Sequence, residues 1–292
     1  MWTEITKHIS QSTGRQFGSD RDFDRQSVSG GSINQAYLIR DRYQQYFVKV
    51  NTASKVAMFE AEAIALRQMY TTQTIRVPQP ICWGAAERSA YIVMEWLELG
   101  GAGNWELMGQ NLAALHRITS PDGFGWQQAN TIGSTPQINT WTRNWVEFLT
   151  QHRLGYQLQL ARKRGFNSSV PDRDLFDAIP HLFQDYQPLP SMVHGDLWGG
   201  NAAFSRDREP VIFDPALYFG DREVDIAMTE LFGGFPAQFY QAYDRAFPLD
   251  SGYKRRKTVY NLYHILNHFN LFGGGYGHQA NRAIEQICTY SF

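Results

Sequence analysis

His194-Gly195-Asp196-Leu197-Trp198-Gly199-Gly200-Asn201, followed by the apolar run Val211-Ile212-Phe213 and Asp214, is the stretch whose reading decides the fold. It sets out an acid, an amide five residues later, and a second acid at the end of a short strand. Phosphoryl transfer needs that set. One carboxylate orients a hydroxyl nucleophile, while the amide and the other carboxylate hold the magnesium that neutralises ATP phosphates.

The spacing from Asp196 to Asn201 is that of the protein-kinase loop H-R-D-x-x-x-x-N. Gly195 stands where that loop has arginine, which points to the small-molecule kinases built on the same fold. The string alone does not decide. A Gly-rich turn in which Asp196 and Asn201 bond their own backbone explains eight residues equally well. A kinase demands other parts in a fixed order, so the rest of the chain carries the decision.

Composition bounds the answer. The 292 residues suffice for two domains or lobes with a sizeable core. Hydrophobic content of 43% and charged content of 19% fit a folded protein. A net charge of −1 argues against a general nucleic-acid or membrane binder. The basic runs Arg162-Lys163-Arg164 and Lys254-Arg255-Arg256-Lys257 are short and read as solvated helix faces. Cys82 and Cys288 make neither a disulfide framework nor a zinc site. Met1-Trp2-Thr3-Glu4-Ile5 has no charged and apolar leader, and no apolar run approaches the roughly 20 residues of a membrane helix. The expected location is cytoplasmic.

The expected fold is α+β and bilobal: a small β-rich lobe over residues 1–95 and a larger helical lobe over 96–292. In the first, a helix is expected at 3–12, strands at Ala36–Ile39, Tyr46–Val50 and Tyr91–Glu95, and a helix from Met58 to Met69. Pro78 and Pro80 read as ending any regular element. In the second, Glu106–His116 reads as a helix, 122–137 as irregular, and 140–164 as one long helical stretch. Further helices are expected at 172–186, 223–232, 236–246, 254–272 and 278–289.

The parts of a kinase have candidates in order. Lys49 ends the run Tyr46-Phe47-Val48 and would reach the α- and β-phosphates. Its carboxylate partner should come from the next helix, from Glu60 or Glu62. Two residues apart on a helix is about 200°, so both cannot face Lys49. Glu62, three after Phe59 and four before Leu66, lies near the buried stripe and is the choice. Gly30, Gly31 and Ser32 form a turn between strands that could cover phosphates, although a Gly-Gly pair is also a common hairpin. Met94, Glu95, Trp96 and Leu97 fall where the lobes join and could dock adenine through the main chain. Asp225, opening an apolar helix, reads as a structural acid bracing the loop, and His194 as a packing residue rather than a base.

With these residues in view, the chain resembles the fructosamine (ketosamine) kinases, of the aminoglycoside-phosphotransferase branch of the protein-kinase-like fold. The likeness spans nearly the whole chain. It rests on Gly30–Tyr37, Phe47-Val48-Lys49, Met58–Ala63, Leu112–His116, Phe124-Gly125-Trp126 with Asn130 and Ile132-Gly133, and Trp141 with Trp145. Most diagnostic are His194–Asn201 and Asp225–Phe235, whose Trp-Gly-Gly and Phe-Gly-Gly-Phe segments differ from general aminoglycoside kinases.

The resemblance implies ATP- and Mg2+-dependent phosphorylation of a sugar hydroxyl on a sugar-amine such as fructosamine or ribulosamine, free or on a glycated lysine. It implies deglycation as the outcome in some relatives. It makes Asp196 the base, Asn201 and Asp214 the metal ligands, Lys49 and Glu62 the nucleotide-positioning pair, and Trp198 a lining of the sugar pocket. Some relatives carry a cysteine in the glycine loop; Ser32 stands in that region, so no such redox switch is expected. Two rivals remain at this level: a kinase for an aminoglycoside, choline or homoserine, and a nucleotide-binding pseudokinase.

Overall fold

The computed structural model describes residues 1–18, 23–28 and 33–290. Gly30, Gly31 and Ser32, expected over the phosphates, lie outside the described residues. The chain forms two compact units: residues 1–104 with 203–215, and residues 105–202 with 216–292.

The first unit is built on a five-stranded antiparallel sheet ordered β1-β2-β3-β5-β4. The strands are β1 (Asp24–Val28), β2 (Gln35–Arg40), β3 (Gln45–Thr52), β4 (Pro80–Ala86) and β5 (Ser89–Glu95). Alternation along β3 sorts its two faces. Tyr46, Val48 and Val50 join Ile5 and Ile9 of helix α1 (Trp2–Thr13) in one apolar cluster. The opposite face presents Lys49, level with Ile92 on β5. Helix α2 (Val56–Thr72) packs on β4 and β5, burying Phe59, Ala63, Leu66 and Met69. Each large apolar side chain so buried stabilises the unit by roughly 1.5–3 kcal/mol before entropy.

Two features correct the sequence reading. Pro80 does not end regular structure but begins β4; the sheet edge tolerates proline at a first position because no ladder donor is needed there. The sequence reading set one boundary near Glu95. The first unit instead runs to Asn104 and takes back residues 203–215. Strands β9 (Ala202–Phe204) and β10 (Pro210–Ile212) pair with each other. Their segment is stitched on by Ile212 N–H to Arg76 O (3.0 Å) and Gly100 N–H to Phe204 O (3.0 Å).

The second unit is mainly helical: α3 (Trp105–His116), α4 (Trp145–Phe148), α5 (Tyr156–Lys163), α6 (Asp172–Ala178), α7 (Glu223–Leu231), α8 (Ala237–Ala246), α9 (Tyr253–Phe272) and α10 (Tyr276–Thr289). The expected helix over 140–164 starts only at Trp145, where Asn144 caps it by accepting the Glu147 N–H (3.0 Å). A π-helical segment at Leu149–Gly155 interrupts it. That register shift seats Arg153, 1% exposed, over the Tyr218 ring at 4.0 Å, with its guanidinium donating to Asn139 Oδ1 at 2.7 Å. Residues 122–137 are not wholly irregular, since β6 (Asn130–Ile132) and β7 (Thr135–Gln137) form a hairpin. A two-stranded ribbon, β8 (Ser191–Val193) against β11 (Tyr218–Gly220), leads into the decisive loop. Among the described residues, no helix is long and apolar enough to cross a membrane.

Candidate active site

The candidate residues fall into two sets, one in each unit. In the first, Lys49 donates to Glu62 Oε1 at 2.7 Å and to Asp214 Oδ1. Glu62 is the acid of α2 that faces the lysine, whereas Glu60 is exposed. The lysine side chain is 8% exposed and that of Asp214 is 42% exposed. Burial opposes the ammonium charge, but the Asp214 and Glu62 carboxylates outweigh it and hold the Lys49 pKa above its ordinary value. The direct pairing of Lys49 with Asp214 was not foreseen in the sequence. It arises because 203–215 belongs to the first unit. Asp214 lies just past β10 with φ of 59°, a left-handed conformation that costs a non-glycine residue energy and gathers at functional sites.

At the end of β5, Met94 is buried. The Glu95 N–H donates to Gln79 O (2.8 Å), and its carboxylate pairs with Arg76. Trp96 packs on Phe47 at 6.3 Å between ring centroids. Leu97 lines a surface groove of about 450 Å³ with Arg76, Glu98 and Val211. The Glu95 N–H is thus already engaged.

In the second unit the loop after β8 is held from below by one carboxylate. Asp225, 0% exposed at the start of α7, accepts the His194 N–H at 2.7 Å and the Gly195 N–H at 2.8 Å. His116 Nε2 lies 3.1 Å from the same carboxylate. Burial alone would raise the Asp225 pKa, yet the hydrogen bonds from His116 and the Gly195 N–H help to bring it below its usual value. Gly195 adopts φ of 81°, and a Cβ there would lie 2.2 Å from the Ala216 carbonyl oxygen. Only glycine fits, which gives a physical reason for its place in the motif. His194 is fully buried; its Nδ1 accepts the Asp196 N–H (3.2 Å) and its carbonyl accepts the Ala216 N–H (2.9 Å).

Asn201, 7% exposed, closes the loop by donating Nδ2 to the Asp196 carbonyl at 2.9 Å, with the Asp196 carboxylate at 3.4 Å. Trp198 is 40% exposed and lies against Gly200, where a Cβ would meet its ring at 2.4 Å. The sequence reading missed His116 and Tyr243, whose hydroxyl sits 2.7 Å from His116 Nδ1. His116 ends the Leu112–His116 segment of the resemblance but had no role attached to it, and a tyrosine in an amphipathic helix carries no motif.

A β-sheet unit with a buried lysine–carboxylate pair, and a helical unit with an acid–amide loop, define a phosphotransferase of the protein-kinase-like class. The family model described as fructosamine kinase matches residues 1–290, and the chain belongs to that family. It is 55% identical over 287 residues to a probable ketoamine kinase of Synechocystis sp., covering 98% of this chain and 96% of that protein. It is 44% identical to the chloroplastic protein-ribulosamine 3-kinase of Arabidopsis thaliana, over 89% of this chain and 81% of the other. Among solved structures, a protein assigned as a fructosamine-3-kinase from Haemophilus somnus superposes with a TM-score of 0.91 at 30% identity, covering 98% and 97% of the two chains. An aminoglycoside phosphotransferase, APH(4)-Ia, solved with ADP and hygromycin B, superposes with a TM-score of 0.63 at 15% identity over 99% and 97%, and shows the shared fold.

Proposed function

We propose that this protein uses ATP and Mg2+ to phosphorylate a sugar hydroxyl of a ketosamine, a fructosamine or ribulosamine carried on a small amine or a lysine side chain. The observation that carries the reading is the braced loop. Asp225 fixes the His194 and Gly195 backbone, and Asn201 ties back to Asp196. Asp196 then accepts, or at least orients, the proton of the attacking hydroxyl, a role worth about 10²- to 10⁴-fold in rate. Lys49, positioned by Glu62, holds the α- and β-phosphates. Asn201 and Asp214 supply the hard oxygen ligands that suit magnesium, and their donor chemistry fits it. Bound there, the ion supplies charge neutralisation at the phosphates. Trp198, partly exposed beside Gly200, offers a flat apolar face to a sugar ring. The substrate class is supported by the names of the relatives, a ketoamine kinase and a ribulosamine 3-kinase. With phosphate on the hydroxyl beside the ketone, as the name of the ribulosamine 3-kinase relative suggests, the enaminol form would expel inorganic phosphate, and water would then hydrolyse the resulting imine to the free amine and a deoxydicarbonyl sugar, so deglycation would follow.

An ATP-coupled screen over fructosamines, ribulosamines, aminoglycosides and choline tests this, with mass spectrometry locating the phosphate. Turnover of a ketosamine well above the others is the expected result. Preference for an aminoglycoside or choline would overturn the substrate class, and no ATP consumption with any acceptor would overturn the activity.

A further inference from the structure

Helix α3 ends at His116 and packs against α8, which carries Tyr243. The helices come close because Gly109 faces α8; a Cβ there would lie 2.4 Å from the Phe239 carbonyl oxygen. His116 is 0% exposed, Tyr243 1% and Arg222 8%, so each polar atom needs a partner within the protein. Which hydrogen points where follows from the groups that can only donate. A guanidinium has no acceptor. Arg222 Nη1 therefore donates to Tyr243 Oη at 3.1 Å. The hydroxyl's own hydrogen then has His116 Nδ1 as its acceptor at 2.7 Å. That places the imidazole hydrogen on Nε2, aimed at Asp225 Oδ2 at 3.1 Å. With both ring nitrogens protonated, Tyr243 Oη would face two incoming N–H groups and its own hydrogen would have no acceptor among these residues. Arg222 is itself held, through Phe247 O at 2.7 Å and Pro248 O at 2.5 Å, past the end of α8.

We propose that Tyr243 and Arg222 are positioning residues for the acid loop: through the hydroxyl they keep His116 neutral with its hydrogen on Nε2, and so hold the Asp225 carboxylate at the angle that grips the His194 and Gly195 N–H groups. Arg222 donates to Tyr243, Tyr243 to His116 and His116 to Asp225, while the His194 and Gly195 N–H groups of the loop donate to the same carboxylate from the other side. Neither residue touches substrate. The inference rests on the proposed kinase reading only for its activity arm.

The test uses the full chain, 15N-labelled, as wild type, Tyr243→Phe and Tyr240→Phe. Tyr240 lies on the same helix, and its hydroxyl bonds Thr229 and the Phe235 N–H instead, so it controls for loss of a half-buried hydroxyl. Wild-type imidazole 15N shifts should report one neutral form of His116 with hydrogen on Nε2. Tyr243→Phe should move those shifts and speed exchange of the His194 and Gly195 amides, and Tyr240→Phe should do neither. With Mg-ATP and fructoselysine or ribuloselysine, Tyr243→Phe should lower kcat about tenfold, the effect of one lost hydrogen bond, with KM for ATP unchanged. Unaltered His116 shifts in Tyr243→Phe overturn the proposal, whether or not kcat falls. Absence of wild-type turnover would count against the kinase reading, and the spectroscopic arms would still decide this one.

Discussion

The two sets of candidate residues are held in opposite ways. In the first unit the groups hold one another by charge: Lys49 is gripped by Glu62 and Asp214, and little else fixes its head. In the second, the loop bearing Asp196 is fixed through its backbone, by a buried carboxylate, a glycine with positive φ and a ribbon of two short strands. Charge pairs can exchange partners when phosphates arrive. A backbone clamp cannot exchange without breaking the loop. The difference suits the proposed chemistry, in which a nucleotide must enter and leave while the acid must stay placed.

The comparison can be broken where it makes its largest claim. Asp196→Asn removes the proposed proton acceptor but leaves the clamp on His194 and Gly195 intact. Turnover should fall about 10²- to 10⁴-fold while ATP affinity by calorimetry stays within a factor of two or so. Retention of most of the rate would take Asp196 out of the reaction. Lys49→Met comes next. Losing the proposed charge-assisted contact to the phosphates should cost roughly 10- to 100-fold in kcat/KM for ATP. Unchanged steady-state kinetics would mean another cation does this work.

How much of this was legible in the chain depends on the range of the interaction that decides each element. Helices α2 and α9 announce themselves by apolar spacing that is local in sequence. The choice of Glu62 over Glu60 follows from the same periodicity, and the structure places Glu62 against Lys49. β4 was hidden because Pro80 reads as a breaker unless one knows that its strand lies at a sheet edge. The return of 203–215 to the first unit was hidden too. It depends on bonds to Arg76 and Gly100, each more than a hundred residues away in sequence, which no local pattern encodes. The eight-residue loop was visible, and so was Asp225 as its brace. The support behind Asp225 was not, since His116 and Tyr243 meet only once α3 and α8 pack.

A smaller effect sharpens the backbone half of the contrast. Gly195→Ala asks an L-residue to hold φ of 81° with its Cβ against the Ala216 carbonyl. The expected loss is about 1–3 kcal/mol of stability, read as a Tm lowered by several degrees. Arg76→Met, which breaks only the partly exposed pair with Glu95 in the first unit, should shift Tm less. Equal shifts would show that the two units are not held differently after all.

The smallest effect concerns His264 on α9, 3% exposed, its Nδ1 without a hydrogen-bond partner. Burial is the main cause that drives its pKa down to about 3, and His268 and Arg153 add to it against the pull of Asp225. The unfolded chain takes up this proton near pH 6.5, whereas the folded protein refuses it until about 3. Its contribution to stability is therefore complete above pH 6.5 and is lost as the pH falls through that window. At pH 5 the loss relative to neutral pH amounts to about 2 kcal/mol, from about 1.4 kcal/mol per unit. His264→Phe should flatten the stability–pH curve between pH 6 and 4 by up to one proton, measured by urea unfolding at each pH. A variant curve parallel to the wild type would mean that the helical unit already admits a proton at His264, and that its interior is less closed to charge than the clamp on Asp225 implies.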